Sequence, residues 1–356
     1  MSNMYGTITN YIGTAYTGQG LHHQYKEIVQ QADQTTFLKC PPTTLLSTTL
    51  NKTAAYYIKR GYDIDKFKSA MDIDETEAIY IHDVNHLYVQ ASHPTSLEPI
   101  HLGGTHHVIS FYDAYDERKL QEAHQAIACE LKTVEQKRHR ALQALQQAKK
   151  THDQWEHINI EVMDWPQHEQ LIDRLTKTLF DSISLNKTAV VTNRLVSSLT
   201  AAGAINFIDQ ITYRMQKRYM IKGLAGTGKS TLMKAIGKEA ERRGFDVLYG
   251  WCGLDPTGVD VVQIPELSVA FIDATYPHVY NPERPGDEIL DLVPMCQQTE
   301  AQLTAIEPLE IVYKEHILDA TGNLLTAAKA EKQIKILMDQ SMNHGLFEEK
   351  CEQLIP

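Results

Sequence analysis

The chain has 356 residues, of which 42% are hydrophobic and 22% are charged. This composition excludes a disordered, collagen-like or disulfide-scaffold protein, and the length suits roughly two domains of about 150 residues each. The formal charge of −11 disfavours broad binding to nucleic acid or to an anionic membrane surface. The sequence has no apolar run of ~18 residues, no basic-then-apolar leader and no Cys-x-x-Cys pair, which together predict a cytoplasmic protein.

An internal repeat organises the chain. At an offset of 183 positions, residues 37–94 align without a gap with residues 220–277, and 11 of the 58 pairs are identical. Random pairing at average composition would give roughly three or four identities. We therefore predict a duplication, with one domain over residues 1–178 and a second over residues 179–356.

The predicted elements follow the same order in both repeats. A short strand, residues 36–39 or 219–222, leads through a loop into a helix that ends at a glycine. Two strand-like segments of the second repeat, 259–264 and 268–273, are separated by three residues, which favours a hairpin. Alternating strands and helices predict an α/β fold.

The second part of each repeat is predicted to be helical. Apolar residues at spacings of three, four or seven over residues 117–158 indicate one long amphipathic helix or a helical hairpin. The second repeat has a shorter predicted counterpart, interrupted at Gly322 and Asn323. We expect these helices to pack on their own domains, and the alternative is a coiled-coil arm for a protein partner.

The most specific motif in the chain is G-x-x-x-x-G-K-[ST], which lies between a predicted strand and a predicted helix. Its glycines let backbone amides turn toward phosphate oxygens, and the helix N-terminus adds a positive field. Lys229 is expected to contact the β- and γ-phosphates of ATP or another nucleoside triphosphate, and Ser230 to bind Mg²⁺. The predicted nucleotide-binding residues are Gly223, Leu224, Ala225, Gly226, Thr227, Gly228, Lys229, Ser230 and Thr231.

A carboxylate that binds Mg²⁺ is expected at the end of an apolar strand beyond the loop. Asp273 ends the apolar segment 268–273 and is our candidate, in a catalytic as well as a metal-binding role. The alternative interpretation of Asp273 is a helix or turn cap.

The residue that positions or deprotonates the nucleophile is less clearly marked. Ala274 follows the acid, so the Asp-Glu pair of many ATPases is absent. Glu266 and His278 are the nearest candidates for this catalytic role. Cys252 and Asp255 follow a predicted strand and are further candidates to face the site.

The aligned loop of the first repeat, residues 40–48, has lost most of this chemistry. It retains Ser47 and Thr48 but replaces all three glycines, and Leu46 stands at the lysine position. Gln90 stands at the position of the strand-end acid. The first repeat is therefore predicted to be a pseudo-domain that does not bind nucleotide.

The motifs of the second repeat also carry a family resemblance. They read K-G-x-x-G-T-G-K-S-T, R-G-F-D, C-G-x-D-P, I-P-E-L, D-x-T-x-P-H and P-E-R-x-G-D-E-I. With them the chain resembles, over nearly its whole length, the uncharacterised tandem P-loop ATPase-type proteins of Gram-positive bacteria. The resemblance implies two P-loop halves with helical insertions, ATP binding and hydrolysis. The first repeat departs from that pattern in its altered loop.

These observations predict two tandem P-loop NTPase-like domains of α/β fold, each with a mainly parallel sheet and a helical insertion. The predicted function is Mg²⁺-dependent ATP hydrolysis at one site in the second repeat. Two alternatives remain open: a nucleotide or small-molecule kinase, and a nucleotide-gated binding module with little turnover. The long helices are the predicted surface for any protein partner, and neither a membrane nor broad nucleic-acid binding is expected.

Overall fold

The computed structural model describes residues 5–276 and 278–355. The first half of the chain begins with three short strands and ends with two helices. Its strands are β1 (Ile8–Ile12), β2 (Thr14–Thr17), β3 (Gly20–His23), β4 (Gln34–Lys39), β5 (Ile64–Lys68), β6 (Thr76–Ile81), β7 (His86–Gln90) and β8 (His106–Ser110). Its helices are α1 (Tyr25–Gln31), α2 (Leu45–Ile58), α3 (Glu117–Ile160) and α4 (Trp165–Phe180).

The second half of the chain repeats this order. Its strands are β9 (Val191–Leu195), β10 (Ser197–Thr200), β11 (Gly203–Asn206), β12 (Lys217–Lys222), β13 (Val247–Trp251), β14 (Val259–Ile264), β15 (Val269–Asp273) and β16 (Asp287–Asp291). Its helices are α5 (Ile208–Thr212), α6 (Lys229–Arg242), α7 (Glu300–Gln340) and α8 (His344–Cys351). The strands β9 to β15 begin and end 183 positions after β1 to β7, so the repeat seen in the sequence is also a repeat of structure.

One twelve-stranded sheet runs through both halves. Its order is β16-β12-β15-β14-β13-β9-β1-β5-β6-β7-β4-β8, while β2–β3 and β10–β11 form separate small hairpins. In each half five strands are parallel and one, β6 or β14, runs against them. The halves meet at an antiparallel contact between β1 and β9, where Ile12 pairs with Leu195. The predicted α/β fold with mainly parallel strands is confirmed, but the two halves share a single sheet.

The two faces of the sheet bury different helices. Successive strand residues point to opposite faces. Accordingly, Leu38 belongs to an apolar core with α2, whereas Phe37 belongs to a core with α1 and α5. In the second half α6 packs on the face that corresponds to that of α2, through Leu232 and Ile236.

The hairpin predicted between residues 259 and 273 is confirmed. Strands β14 and β15 are antiparallel, with Val261 opposite Ile272, and a short 3-10 turn over Pro265–Leu267 joins them. This connection places the first residues of β14 and the last residues of β15 at the same edge of the sheet. It places the turn at the opposite edge.

The two long helices are continuous and pack against each other in antiparallel fashion. Helix α3 has 44 residues, which confirms the single-helix form of that prediction, and α7 has 41. The predicted interruption of α7 at Gly322 and Asn323 is wrong. Buried neighbours such as Leu324 hold the segment against α3, and this packing outweighs the ~1 kcal/mol that a helical glycine costs.

Helical residues of each half pack into the core of the other half. Helix α4 of the first half packs on α6, where Leu175 and Phe180 join the core of the second half. The end of α7, with Ile334 and Met338, packs against α2 of the first half. A helix of 44 residues is about 66 Å long, which is enough to reach across a half-sheet of six strands at about 4.8 Å each. The expectation that the helices pack only on their own domains is therefore wrong.

Candidate functional site

The loop between β12 and α6 has the backbone conformation that its glycines allow. Gly226 and Gly228 have φ of 80° and 79°, in the left-handed region. A Cβ at Gly226 would lie 2.5 Å from the carbonyl oxygen of Glu156, and one at Gly228 would lie 2.7 Å from Nε2 of His168. Only glycine fits these positions, because the C-terminal end of α3 and the start of α4 lie directly against the loop.

The loop leaves backbone donors open at the start of α6. The first intrahelical hydrogen bond runs from the amide of Leu232 to the carbonyl of Gly228. The amides of Lys229, Ser230 and Thr231 therefore have no carbonyl within the helix to bind. Gly228, the N-cap, has no side chain that accepts from them. This arrangement suits an anion.

The structure brings the predicted lysine, serine and aspartate together. Nζ of Lys229 donates to the carbonyls of Gly223 and Leu224 at 3.0 and 2.9 Å, and it lies 3.8 Å from Oδ2 of Asp273. Oγ of Ser230 accepts a hydrogen bond of 3.2 Å from the amide of Val259. The loop, β14 and β15 thus meet at one point.

Asp273 owes its position to the sheet. It ends β15, next to β12, and lies opposite Ile221 in the register of these two parallel strands. Its Oδ1 accepts from the amide of Thr275 at 3.0 Å, so the turn-cap geometry is also present. Burial raises the pKa of the Asp273 carboxyl, and the positive charge of Lys229 opposes that rise.

His278 lies at the same edge of the sheet and is buried. Its Nε2 is 3.4 Å from Oδ2 of Asp260, and its Nδ1 is 3.1 Å from the side-chain amide nitrogen of Asn206. Burial acts to lower the pKa of His278, but the carboxylates of Asp260 and Asp273 outweigh it and raise the pKa. Asp260 is itself buried, and Ser197 donates to its Oδ2 at 2.6 Å. Sequence reasoning missed Asp260, because it stands at the start of an apolar strand and not at the end of one.

Glu266 does not belong to this site, which corrects its candidacy as a catalytic residue. It lies in the turn of the β14–β15 hairpin, at the edge of the sheet opposite the loop. There it pairs with Lys187 at 2.7 Å and accepts from the amide of Asp246. The prediction relied on closeness to Asp273 in sequence, and the hairpin separates the two residues by the length of a strand.

Cys252 and Asp255 do face the site. Burial raises the pKa of the Cys252 thiol well above its usual range. Burial also acts to raise the pKa of Asp255, but hydrogen bonds from Thr257 and the charge of Lys149 outweigh it and lower the pKa. Asp255 lies 3.3 Å from Nζ of Lys149 on α3, so its charge is already paired.

These groups line one cavity of about 470 Å³, roofed by the two long helices. A volume of this size is typical of small-molecule sites. Besides residues 224–231 of the loop, the lining includes Leu145, Lys149, His152, Trp155, Glu156, Cys252, Leu254, Asp255, Asp260, Asp273, Tyr276, His278, Glu310, Tyr313 and Ile317.

Side chains from outside the second repeat's own sheet hold the loop. Asn159, fully buried at the end of α3, donates to the carbonyl of Ala225 at 2.7 Å, and Gln298 donates to Asn159 Oδ1 at 2.6 Å. His168 of α4 is 3.1 Å from the carbonyl of Gly228. The sequence carried no signal for these contacts, because they join segments more than 55 residues apart.

A second group of donor atoms lies on α3. His152, Asp153 and Glu156 place one donor atom each within 4.8 Å of one another. Asp153 already forms an ion pair with Lys149 at 2.6 Å. Ion pairing therefore accounts for this group more simply than a metal site does.

The corresponding loop of the first half is filled by a side chain of the protein. The carboxylate of Asp339, near the end of α7, accepts from the amide of Thr44 at 3.2 Å and from its hydroxyl at 2.6 Å. The hydroxyl of Thr43 donates to the same carboxylate. Thr44 is the N-cap of α2, so an internal anion lies at the start of the helix that corresponds to α6.

Comparison with family models, curated proteins and solved structures found no significant match to the chain. Among residues 5–276 and 278–355, no helix has both the length and the apolar composition that crossing a bilayer requires.

The loop contact of Asn159 is testable without a ligand. Asn159→Ala removes a hydrogen bond of about 1 kcal/mol, which corresponds to roughly fivefold faster opening of the segment. Hydrogen–deuterium exchange of peptides covering residues 223–228 is expected to accelerate by that factor. Asn323→Ala, which removes a buried asparagine of α7 away from the loop, is the control and should leave that exchange unchanged.

The Asp339 contact predicts a stability effect. Asp339→Asn weakens a charged cap on α2, and we expect the free energy of unfolding to fall by about 1–2 kcal/mol. Glu307→Gln removes the same charge from an exposed position of the same helix and should have little effect. Urea and thermal unfolding of both variants measure the difference, and equal stabilities would exclude the capping role.

Proposed function

We propose that the protein is a cytoplasmic P-loop NTPase that binds one nucleoside triphosphate, with ATP as the first candidate, in the second half of the chain. The observation that supports this most directly is the difference between the two loops. The loop at Gly223–Thr231 leaves its first-turn amides open beside a lysine and an aspartate, in a cavity of sufficient size. Its counterpart in the first half is closed by Asp339.

Each residue of the loop has a definable role in this proposal. The open amides and Lys229 bind phosphate oxygens and stabilise the charge that develops on the transferred phosphoryl group. The hydroxyl of Ser230 and the carboxylate of Asp273 are the hard oxygen donors that Mg²⁺ prefers, so the residues present fit this ion. When bound, Mg²⁺ supplies further neutralisation of phosphate charge. Water is the proposed acceptor.

The degenerate half contributes to the same site as a support. Helix α7 is fixed to the first half by Asp339 at one end, and it lines the cavity through Glu310, Tyr313 and Ile317. The first half is therefore proposed to be a pseudo-domain with a structural role.

The five cysteines are free thiols in the structure, which fits a reducing compartment.

Titration with ATP tests the single-site proposal. Calorimetry is expected to give about one ATP per chain, because the loop of the first half has Leu46 at the lysine position and is in contact with the carboxylate of Asp339. Two sites of similar affinity would contradict it.

Lys229→Ala is expected to weaken ATP binding ~10–100-fold, the value of one charged hydrogen bond. Lys238→Ala, an exposed change on the same helix, should bind normally.

The role of Asp273 is tested by turnover. Asp273→Asn keeps the size of the side chain and its acceptor for the amide of Thr275, but removes the charge. We expect Mg²⁺-dependent phosphate release to fall at least ~10-fold while nucleotide affinity changes little, because the amides and Lys229 still hold the phosphates. Asp291→Asn is the matched control: Asp291 ends β16, which pairs with β12 on the side away from β15, accepts from a backbone amide two residues on, and is not among the residues that line the cavity. If both variants turn over normally, Asp273 is only a cap.

A further inference from the structure

The duplication provides an internal comparison for the buried acid Asp260. Its counterpart 183 positions earlier is Glu77. Each acid is the second residue of its strand, β14 for Asp260 and β6 for Glu77. Each carboxylate accepts from a hydroxyl of the adjacent small hairpin: Ser197 donates to Asp260 at 2.6 Å, and Thr14 donates to Glu77 at 3.0 Å. A carboxylate bonded to that hydroxyl is therefore part of the fold in both halves.

The two carboxylates differ in what remains free. In Glu77, Thr14 donates to Oε1 and Tyr25 donates to Oε2, so both oxygens are bonded. In Asp260, Ser197 and His278 both approach Oδ2. Within the described part of the chain, Oδ1 of Asp260 accepts no hydrogen bond, although the side chain is only 8% exposed and lines the cavity.

The surroundings of Asp260 also differ from those of Glu77 in ways that match the open loop. The residue before Asp260, Val259, donates its amide to Ser230 of the loop. Continuing the register of β14 and β15 places Asp260 opposite Asp273, whereas Gln90 is the neutral residue at that position in the first half. Two like charges directly opposed across strands are unfavourable unless positive groups accompany them.

The hydrogen-bond network around His278 fixes its tautomer. Oδ1 of Asn206 accepts from the hydroxyl of Tyr280 at 2.5 Å and from the amide of Ile208 at 3.2 Å. The amide nitrogen of Asn206 is therefore the donor to Nδ1 of His278 at 3.1 Å. A neutral His278 then carries its proton on Nε2, which lies 3.4 Å from Oδ2 of Asp260 and has no hydrogen-bond partner within the described part of the chain.

We propose that Asp260 is the catalytic carboxylate of the nucleotide site and that His278 positions it. This inference rests on the proposed function. Ser197 donates to Oδ2, and Nε2 of His278 lies 3.4 Å from the same oxygen, so Oδ1 is the oxygen left to accept from a water molecule in the cavity. In this assignment His278 acts through Asp260, because Asn206 donates to its Nδ1 and its Nε2 faces the Asp260 carboxylate.

The chemical step balances with the groups named. The oxygen of the water forms a bond to the γ-phosphorus, and the bond between that phosphorus and the β–γ bridging oxygen breaks. Its electron pair stays on the diphosphate. The proton of the water passes to Oδ1 of Asp260, and the products are a nucleoside diphosphate and inorganic phosphate.

The full-length chain with ATP and Mg²⁺ tests the assignment. Asp260→Asn retains an acceptor for Ser197 but cannot take a proton, so kcat is expected to fall ~100-fold or more, while ATP affinity stays within about threefold. Glu77→Gln is the matched control, a buried acid-to-amide change at the equivalent position. It is expected to leave kcat unchanged, and the melting temperatures of both variants report the cost to the fold.

A pair of variants at His278 keeps the test informative if Asp260→Asn is poorly folded. His278→Gln can still donate an N–H toward Asp260, whereas His278→Ala cannot. We expect kcat of the glutamine variant to exceed that of the alanine variant by about tenfold, with similar KM, because a lost orienting hydrogen bond costs about 1.4 kcal/mol. Equal kcat values in the two variants would overturn the positioning role.

The outcomes separate this inference from the function on which it rests. If the wild-type chain binds no ATP or releases no phosphate, the proposed function itself fails. If the wild type turns over and Asp260→Asn does so equally, only the catalytic carboxylate is refuted. A variant whose activity is restored by raising the Mg²⁺ concentration would make Asp260 a metal ligand, which also overturns the assignment.

Discussion

The structure depends on one constraint, which is that the first amides of a helix have no acceptor within that helix. Both halves of the chain place such a helix directly after a loop at the edge of the sheet, and they meet the constraint differently. In the first half the carboxylate of Asp339 accepts from the amide and hydroxyl of the N-cap residue Thr44, and the hydroxyl oxygen of Thr43 accepts from the amide of Leu45, the first residue of α2. In the second half the glycines keep the amides open and Lys229 stands beside them. The same backbone design thus gives an internal carboxylate contact at the start of one helix and open first-turn amides at the start of the other.

Much of the architecture could be predicted from the sequence because its signals are local or periodic. The offset of 183, the loop motif, the hairpin ending at Asp273 and the long helix over 117–160 all follow from short patterns. The error at Gly322 has the opposite origin: a local breaker was given weight that packing against α3 overrides. Intrinsic propensity is a weak signal when a buried face is at stake.

The candidate site was predicted in part, and the missing residues share a physical reason. Lys229 and Ser230 belong to the loop motif, and Asp273 ends an apolar segment, so a local sequence pattern marks each of them. Asn159 and Asp260 do not, because their contacts depend on how helices and hairpins fold back over the sheet. The prediction for Glu266 was wrong because closeness to Asp273 in the sequence is not closeness in space. The hairpin places Glu266 in its turn and Asp273 at the far end of β15. The sequence comparison between the halves was the stronger guide, because shared positions report the fold and differing positions report the chemistry.

The exchange of helices between the halves also sets the order in which the chain can mature. The apolar face of α2 is covered by Ile334 and Met338 of α7 and by Phe347 of α8, while β8, the last strand of that half, ends at Ser110. Ribosomal synthesis at ~5–20 residues per second takes roughly 10–45 s to cover the intervening stretch of chain. Throughout that interval the nascent first half exposes the surface of α2 to solvent. The core of the first half is therefore completed only after α7 and α8 have been synthesised.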